Sequence, residues 1–211
     1  MKNSWQILTL LLAVALVILV SKINISNDYQ SQAAESIDKE EIIYESIMSR
    51  SSVRAYTDQP IEQEKIEKML KAGMAAPTAG NRQPWELVVV TDRQVLDGFP
   101  PIVKGAHMAA RAQLAIVVCG SPTRALLPDF WVQDCSAVTE NILLAAHGMG
   151  LGAVWCGAYP NDANDRVGKI RKLLSMPEDL TALSIIVIGY PLGEPKIKDK
   201  WDTKKVHYNK F

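Results

Sequence analysis

Arg50-Ser51-Ser52-Val53-Arg54 is the stretch best equipped for chemistry in this 211-residue chain. Two arginines four residues apart bracket two hydroxyls, so fork-shaped cationic donors and short neutral donors can converge on one phosphate. The same residues also suit a solvated basic helix end, favoured by the helix dipole. A second stretch is Ala76-Pro77-Thr78-Ala79-Gly80-Asn81-Arg82-Gln83-Pro84-Trp85, stiffened by two prolines and a glycine and carrying Thr, Asn and Gln. Such a loop can present backbone and amide groups to a polar heteroaromatic edge, or it can simply connect a helix to a strand.

Other patterns carry less. Gly148-Met149-Gly150-Leu151-Gly152-Ala153 spells G-x-G-x-x-A, but it follows a helical pattern and precedes a strand. The dinucleotide fingerprint has the reverse order, so these glycines read as helix termination. His107, His147 and His207 are too far apart in sequence to form a paired H-x-x-x-H, and there is no nucleophile elbow. Cys119, Cys135 and Cys156 are odd in number and widely separated, which gives neither a disulfide framework nor a C-x-x-C knuckle. Cys119 and Cys135 read as buried small hydrophobes.

The elements that must position these residues follow from periodicity. Ile42, Ile43, Ile47 and Met48 predict a helix over 39–49, and Ile66, Met69, Leu70 and Met74 form one apolar stripe of a second helix after Pro60. WELVVVT and LAIVVCG (114–120) have strand length, and a long helical pattern runs from about Asp129 to His147. A short strand AVW, a helix over about 162–174 and the strand ALSIIVIGY (182–190) complete the pattern, before a Pro/Lys-rich tail without periodicity. Helices alternating with about four strands predict an α+β or α/β sandwich.

Composition narrows the function classes. Hydrophobic residues make up 48% and charged residues 22%, the range of an ordinary globular chain. Lys plus Arg equals Asp plus Glu, 23 each, so no global basic excess is present to track a nucleic-acid backbone. Residues 5–20, WQILTLLLAVALVILV, are uncharged and apolar. As a helix they would span roughly 24 Å, short of a ~30 Å hydrocarbon core. Small residues suited to cleavage come only at Gln32-Ala33-Ala34, so we expect an uncleaved N-terminal anchor over residues 1–25, with export after signal cleavage as the alternative. A polar linker (26–38) and one domain (39–211) follow. Membrane attachment, a transmembrane helix and an undetermined side of the membrane are therefore expectations.

In combination, Arg50–Arg54 and Ala76–Trp85 strongly resemble the nitroreductase family of flavin oxidoreductases. The likeness continues through Trp131-Val132-Gln133-Asp134-Cys135, Gly150–Gly157 and Val206-His207-Tyr208-Asn209, and covers residues 40–211. The resemblance implies an α+β three-layer sandwich, with a central, mostly antiparallel sheet flanked by helices. It also implies an intertwined homodimer holding FMN between its chains. Carried over by position, Arg50, Ser52 and Arg54 hold the FMN phosphate and ribityl end, and Ser51 and Val53 line the same turn. Pro77, Thr78, Ala79 and Asn81 resemble the loop that reaches the flavin from the other subunit, with Gln83 close behind. Ala79 stands where the family often has a serine, which leaves only its backbone contacts. Cys156 and Gly157 match the strand-end pair whose backbone lies beside flavin N5, and Lys204 and Lys205 fall near a C-terminal basic contact to the phosphate.

The resemblance also implies the chemistry. FMN takes a hydride from NADH or NADPH and passes electrons to nitroaromatics, quinones or similar conjugated acceptors; one branch of the family dehalogenates iodotyrosine beneath an extra lid. The segments between Leu96 and Leu114 and between Ser121 and Asp129 are too short for a long lid, so a generic reductase is expected. The alternatives are a non-catalytic FMN-binding sensor or carrier, and a membrane-tethered dehalogenase-like reductase. No metal, nucleophile or nucleic-acid partner is expected.

Overall fold

A computed structural model describes residues 16–24, 39–160 and 162–211. The chain divides into two compact units, residues 1–45 and 46–211. The second holds four strands, β1 (Trp85–Val90), β2 (Leu114–Gly120), β3 (Gly152–Gly157) and β4 (Thr181–Gly189), in the order β1-β2-β4-β3. Every neighbouring pair is antiparallel. The two central strands are the two longest apolar runs. All of β2 is buried and so is β4 after Thr181, because helices cover both faces of the sheet.

Side-chain alternation divides the core between those faces. Ala115, Val117 and Cys119 of β2, with Ile185 and Val187 of β4, pack under α3 (Arg93–Ile102), α5 (Arg166–Leu173) and the 3-10 segment Lys104–Arg111. Leu114, Ile116 and Val118, with Ile186 and Ile188, meet α2 (Gln63–Met74) and α4 (Phe130–Gly148) on the other side. A bulge sits where the β2–β4 register shifts between Val118 and Cys119. Ser184, in phase with Ile186 and Ile188, faces α4, where its hydroxyl meets that of Thr139 at 2.9 Å, so this buried polar pair is satisfied. A further helix, α1, covers 39–49. The result is the expected α+β three-layer sandwich.

The segment 93–111, to which periodicity assigns no element, forms α3 and the 3-10 segment: Asp92 caps α3 by accepting Val95 N–H at 3.1 Å, and Pro100 and Pro101 sit at its end. The membrane expectation is corrected. Among the described residues no helix is long and apolar enough to cross a membrane. The described helix at 16–24 is nine residues, about 13 Å, and includes Lys22 and Asn24. Residues 1–15 and 25 of the expected anchor, and the expected linker over 26–38, lie outside the described residues. The membrane-anchor and transmembrane expectations are therefore withdrawn.

Candidate functional site

Arg50–Thr57 leaves α1 and runs beside the ends of β3 and β4. Val53 N–H donates to Ala153 O at 3.0 Å, Thr57 N–H to Tyr190 O at 2.9 Å, and Leu192 N–H to Ala55 O at 2.9 Å. The Tyr56 hydroxyl lies 2.6 Å from Val53 O and 3.0 Å from Val187 O, two acceptors that share its one hydrogen. Burial first, and the Cys156 thiol second, push the Tyr56 pKa up, with Arg54 opposing them, so the phenol remains a donor. The inward side chains are thus Val53 and Tyr56, which leaves Ser52 and Arg54 exposed and Arg50 half-buried.

Two glycines let the segment approach this closely. A Cβ at Gly152 would lie 2.6 Å from Val53 Cγ1, and one at Gly189 would lie 2.7 Å from Tyr56 Cγ. Gly189→Ala should therefore overpack the site and destabilise the fold by about 1–3 kcal/mol. A thermal melt checks this, and an unchanged Tm would show that Tyr56 can yield.

Opposite Arg50–Ala55 lies the start of the tail. Between them is a cavity of about 460 Å³, closed by Leu192–Lys196 together with Lys198 and Lys200. Five cations, Arg50, Arg54, Lys196, Lys198 and Lys200, face one acid, Glu194. Arg50 Nε is also 3.5 Å from Glu140 of α4, whereas among the described residues Arg54 Nη1 donates only to Ser52 O, at 3.3 Å. This donor set suits a phosphate. Lys204 and Lys205 do not line the cavity; they belong to the short turn Thr203–Lys205, where Lys205 pairs with Asp202 at 3.7 Å. Sequence reasoning missed Lys196, Lys198 and Lys200. Their i, i+2 spacing in a segment flanked by Pro and Gly was the available signal, since in extended backbone it sets them on one side.

His147 adds a charge-sensitive support. Its Nε2 shares a 2.7 Å hydrogen bond with Ser49 Oγ, and burial, then the Arg50 guanidinium, hold its pKa below the usual 6.5. A lowered folded-state pKa means that the folded protein binds fewer protons than the unfolded chain below pH 6.5. Stability should therefore be complete above that value and fall as the pH drops below it. His147→Gln should flatten Tm against pH over roughly pH 5–7.

Cys156 and Gly157 end β3, an edge strand whose outer backbone groups are unpaired by the sheet. The Cys156 side chain points into the core, where Sγ lies 3.3 Å from Gly105 O and 3.9 Å from Met108 Sδ. Burial pushes its pKa up to about 11, partly offset by Arg54. Only its backbone can face a ligand. Arg166 fixes the strand end by donating to Gly157 O at 3.1 Å and Pro160 O at 3.0 Å.

Pro77–Gln83 forms a separate feature, a 3-10 turn over Ala79–Asn81 with positive φ at Gly80, Asn81 and Gln83. Gln83 N–H donates to Thr78 Oγ1 at 3.1 Å, and Gln83 Nε2 to Asn81 Oδ1 at 2.9 Å. None of its residues lines the cationic cavity.

Comparison with known proteins bears on this arrangement. The family model described as the nitroreductase family matches residues 47–123 and 107–190. The chain belongs to the nitroreductase family. Among nitroreductase relatives, a provisionally named NADH dehydrogenase/NAD(P)H nitroreductase of Archaeoglobus fulgidus is 44% identical over 169 residues, 78% of this chain and 96% of that protein. An FMN-dependent nitroreductase of Clostridium difficile R20291 superposes with a TM-score of 0.74 at 34% identity, covering 79% of this chain and 98% of that one. A provisionally named nitroreductase of Desulfovibrio desulfuricans, solved in complex with FMN, gives 0.69 at 26% identity, over 80% and 97%.

Proposed function

We infer that this nitroreductase-family chain is an FMN-dependent oxidoreductase that takes electrons from NADH or NADPH and passes them to nitroaromatic, quinone or similar conjugated acceptors. The cationic cavity carries this reading: it gathers phosphate-binding groups from two segments beside β3, an edge strand of the sheet. Bound FMN supplies hydride acceptance and onward electron transfer. Arg50 and Arg54 bind its phosphate, with Ser51 and Ser52 as short donors. Lys196, Lys198 and Lys200 add positive charge from the facing wall, and Lys204 and Lys205 extend it along the tail. The backbone at Cys156 and Gly157 orients the ring.

We further propose a homodimer in which Pro77–Gln83 of a second copy completes each site. The loop's position outside its own chain's cavity supports this, as does the exposed apolar surface of Ile47, Met48, Leu192, Ile197 and Trp201. The decisive experiment is purification of the full chain. Bound yellow chromophore that yields FMN on extraction, together with NAD(P)H oxidation on addition of menadione or a nitroaromatic, is the expected result. Flavin without turnover would make the chain a carrier or sensor, and absence of flavin would reject the reading.

A further inference from the structure

Asp134 has no part in the site as described so far. It lies in the second turn of α4 and is 5% exposed, between the buried Trp131 and Cys135. Its Oδ1 accepts the Ala79 N–H at 3.1 Å. Its Oδ2 is buried with no hydrogen-bond partner among the described residues. A carboxylate in the core is costly unless its bonds are made, and nothing in helix packing calls for one here. The one donor it meets among the described residues comes from Ala79, the first residue of the turn in Pro77–Gln83. A bond from N–H to an ionised acceptor is roughly twice as strong as a neutral one.

We propose that Asp134 is a positioning residue for the flavin site: its carboxylate pins the Pro77–Gln83 loop in the conformation that meets the cofactor. This rests on the reading that the loop contacts FMN. The positive φ at Asn81 and Gln83, neither of them glycine, makes the loop's shape unfavourable without support, and the bonds among Thr78, Asn81 and Gln83 lie within the loop itself. The bond to Asp134 ties it to a rigid helix. Without that bond, only a fraction of molecules would hold the binding-competent loop, and apparent FMN affinity would fall by that fraction.

The test uses the full chain, loaded with FMN and stripped of it. In the stripped protein, Asp134→Ala should raise amide hydrogen exchange across residues 78–83 by about tenfold or more, as loss of a charge-assisted bond requires. FMN Kd should rise by a similar factor. Asp134→Asn, whose Oδ1 can accept the same N–H, should stay within about fivefold of the unmodified protein in both readouts. If Asp134→Ala does not fold, Asp134→Leu removes the acceptor while keeping an apolar helix face, and the same readouts decide. A fall in Tm with loop exchange unchanged would reduce Asp134 to a packing residue and overturn the proposal. Faster loop exchange with FMN Kd unchanged would overturn it too, by showing a pinned loop that does not serve the cofactor. Failure of the unmodified chain to bind FMN would remove the proposal together with the flavin reading, and is recognised before any variant is made.

Discussion

Arg54→Ala should weaken FMN binding by about 10- to 150-fold, the equivalent of one charge-assisted hydrogen bond of roughly 1.5–3 kcal/mol. Arg54 is exposed on the cavity wall, and its one hydrogen bond among the described residues is to Ser52 O, so its charge is free for a phosphate. Arg50→Ala should act in the same direction with a smaller effect, because Glu140 already engages that guanidinium and competes with an incoming anion. Fluorescence titration of the stripped protein measures both. Unchanged affinity in the two variants, with the fold intact, rules out the arginine clamp.

Complementation between two inactive variants should restore activity if the site is shared between chains. One variant lacks the clamp (Arg50→Ala with Arg54→Ala), and the other has a disabled loop (Pro77→Asp with Asn81→Ala). Each homodimer is expected to be inactive. In a mixed dimer, one site combines both defects and stays dead. The other joins an intact clamp to an intact loop and recovers, giving about half the normal number of active sites. Were each site built from a single chain, both sites of the mixed dimer would stay defective. Heterodimers isolated with two different tags, lacking any rescue, would therefore reject the shared site.

Much of this fold is legible in the sequence, because burial on both faces leaves uninterrupted apolar runs. LAIVVCG matches β2 residue for residue, and β4 begins one residue before the expected strand and ends one before it. The helix over 93–102 was not legible, because Phe99-Pro100-Pro101 reads as a break. Pro100 and Pro101 each lack the N–H that would bond to residue i−4, and the helix persists because Asp92 caps its start and Leu96 and Phe99 are buried. β3 extends beyond the legible AVW because its glycines, poor strand formers, are held there by packing: Val53 fills the space over Gly152.

The site was legible in part. Arg50–Arg54 is contiguous, so a phosphate clamp and a solvated helix end are both readable from it, and the combination with Ala76–Trp85 favours the clamp. The facing lysines are far away in sequence, and the bonds Leu192–Ala55 and Thr57–Tyr190 that bring the two walls together are backbone bonds, which leave no mark on residue type. Asp134 was visible only as a letter within a motif, since its partner is likewise a backbone N–H. The apolar segment at 5–20 misled for a different reason. Hydropathy reports a preference for leaving water and does not name the destination.

The burial of all three cysteines bears on the protein's durability in air. Reduced flavin exposed to oxygen generates peroxide beside the polypeptide that holds it, and thiolates are the groups peroxide attacks first. Burial pushes Cys119 and Cys135 up to about 12, and Cys156 up to about 11. At neutral pH the ionised fraction is then on the order of one in ten thousand or less. The three thiols should thus be spared during aerobic turnover, and iodoacetamide should label them only after denaturation.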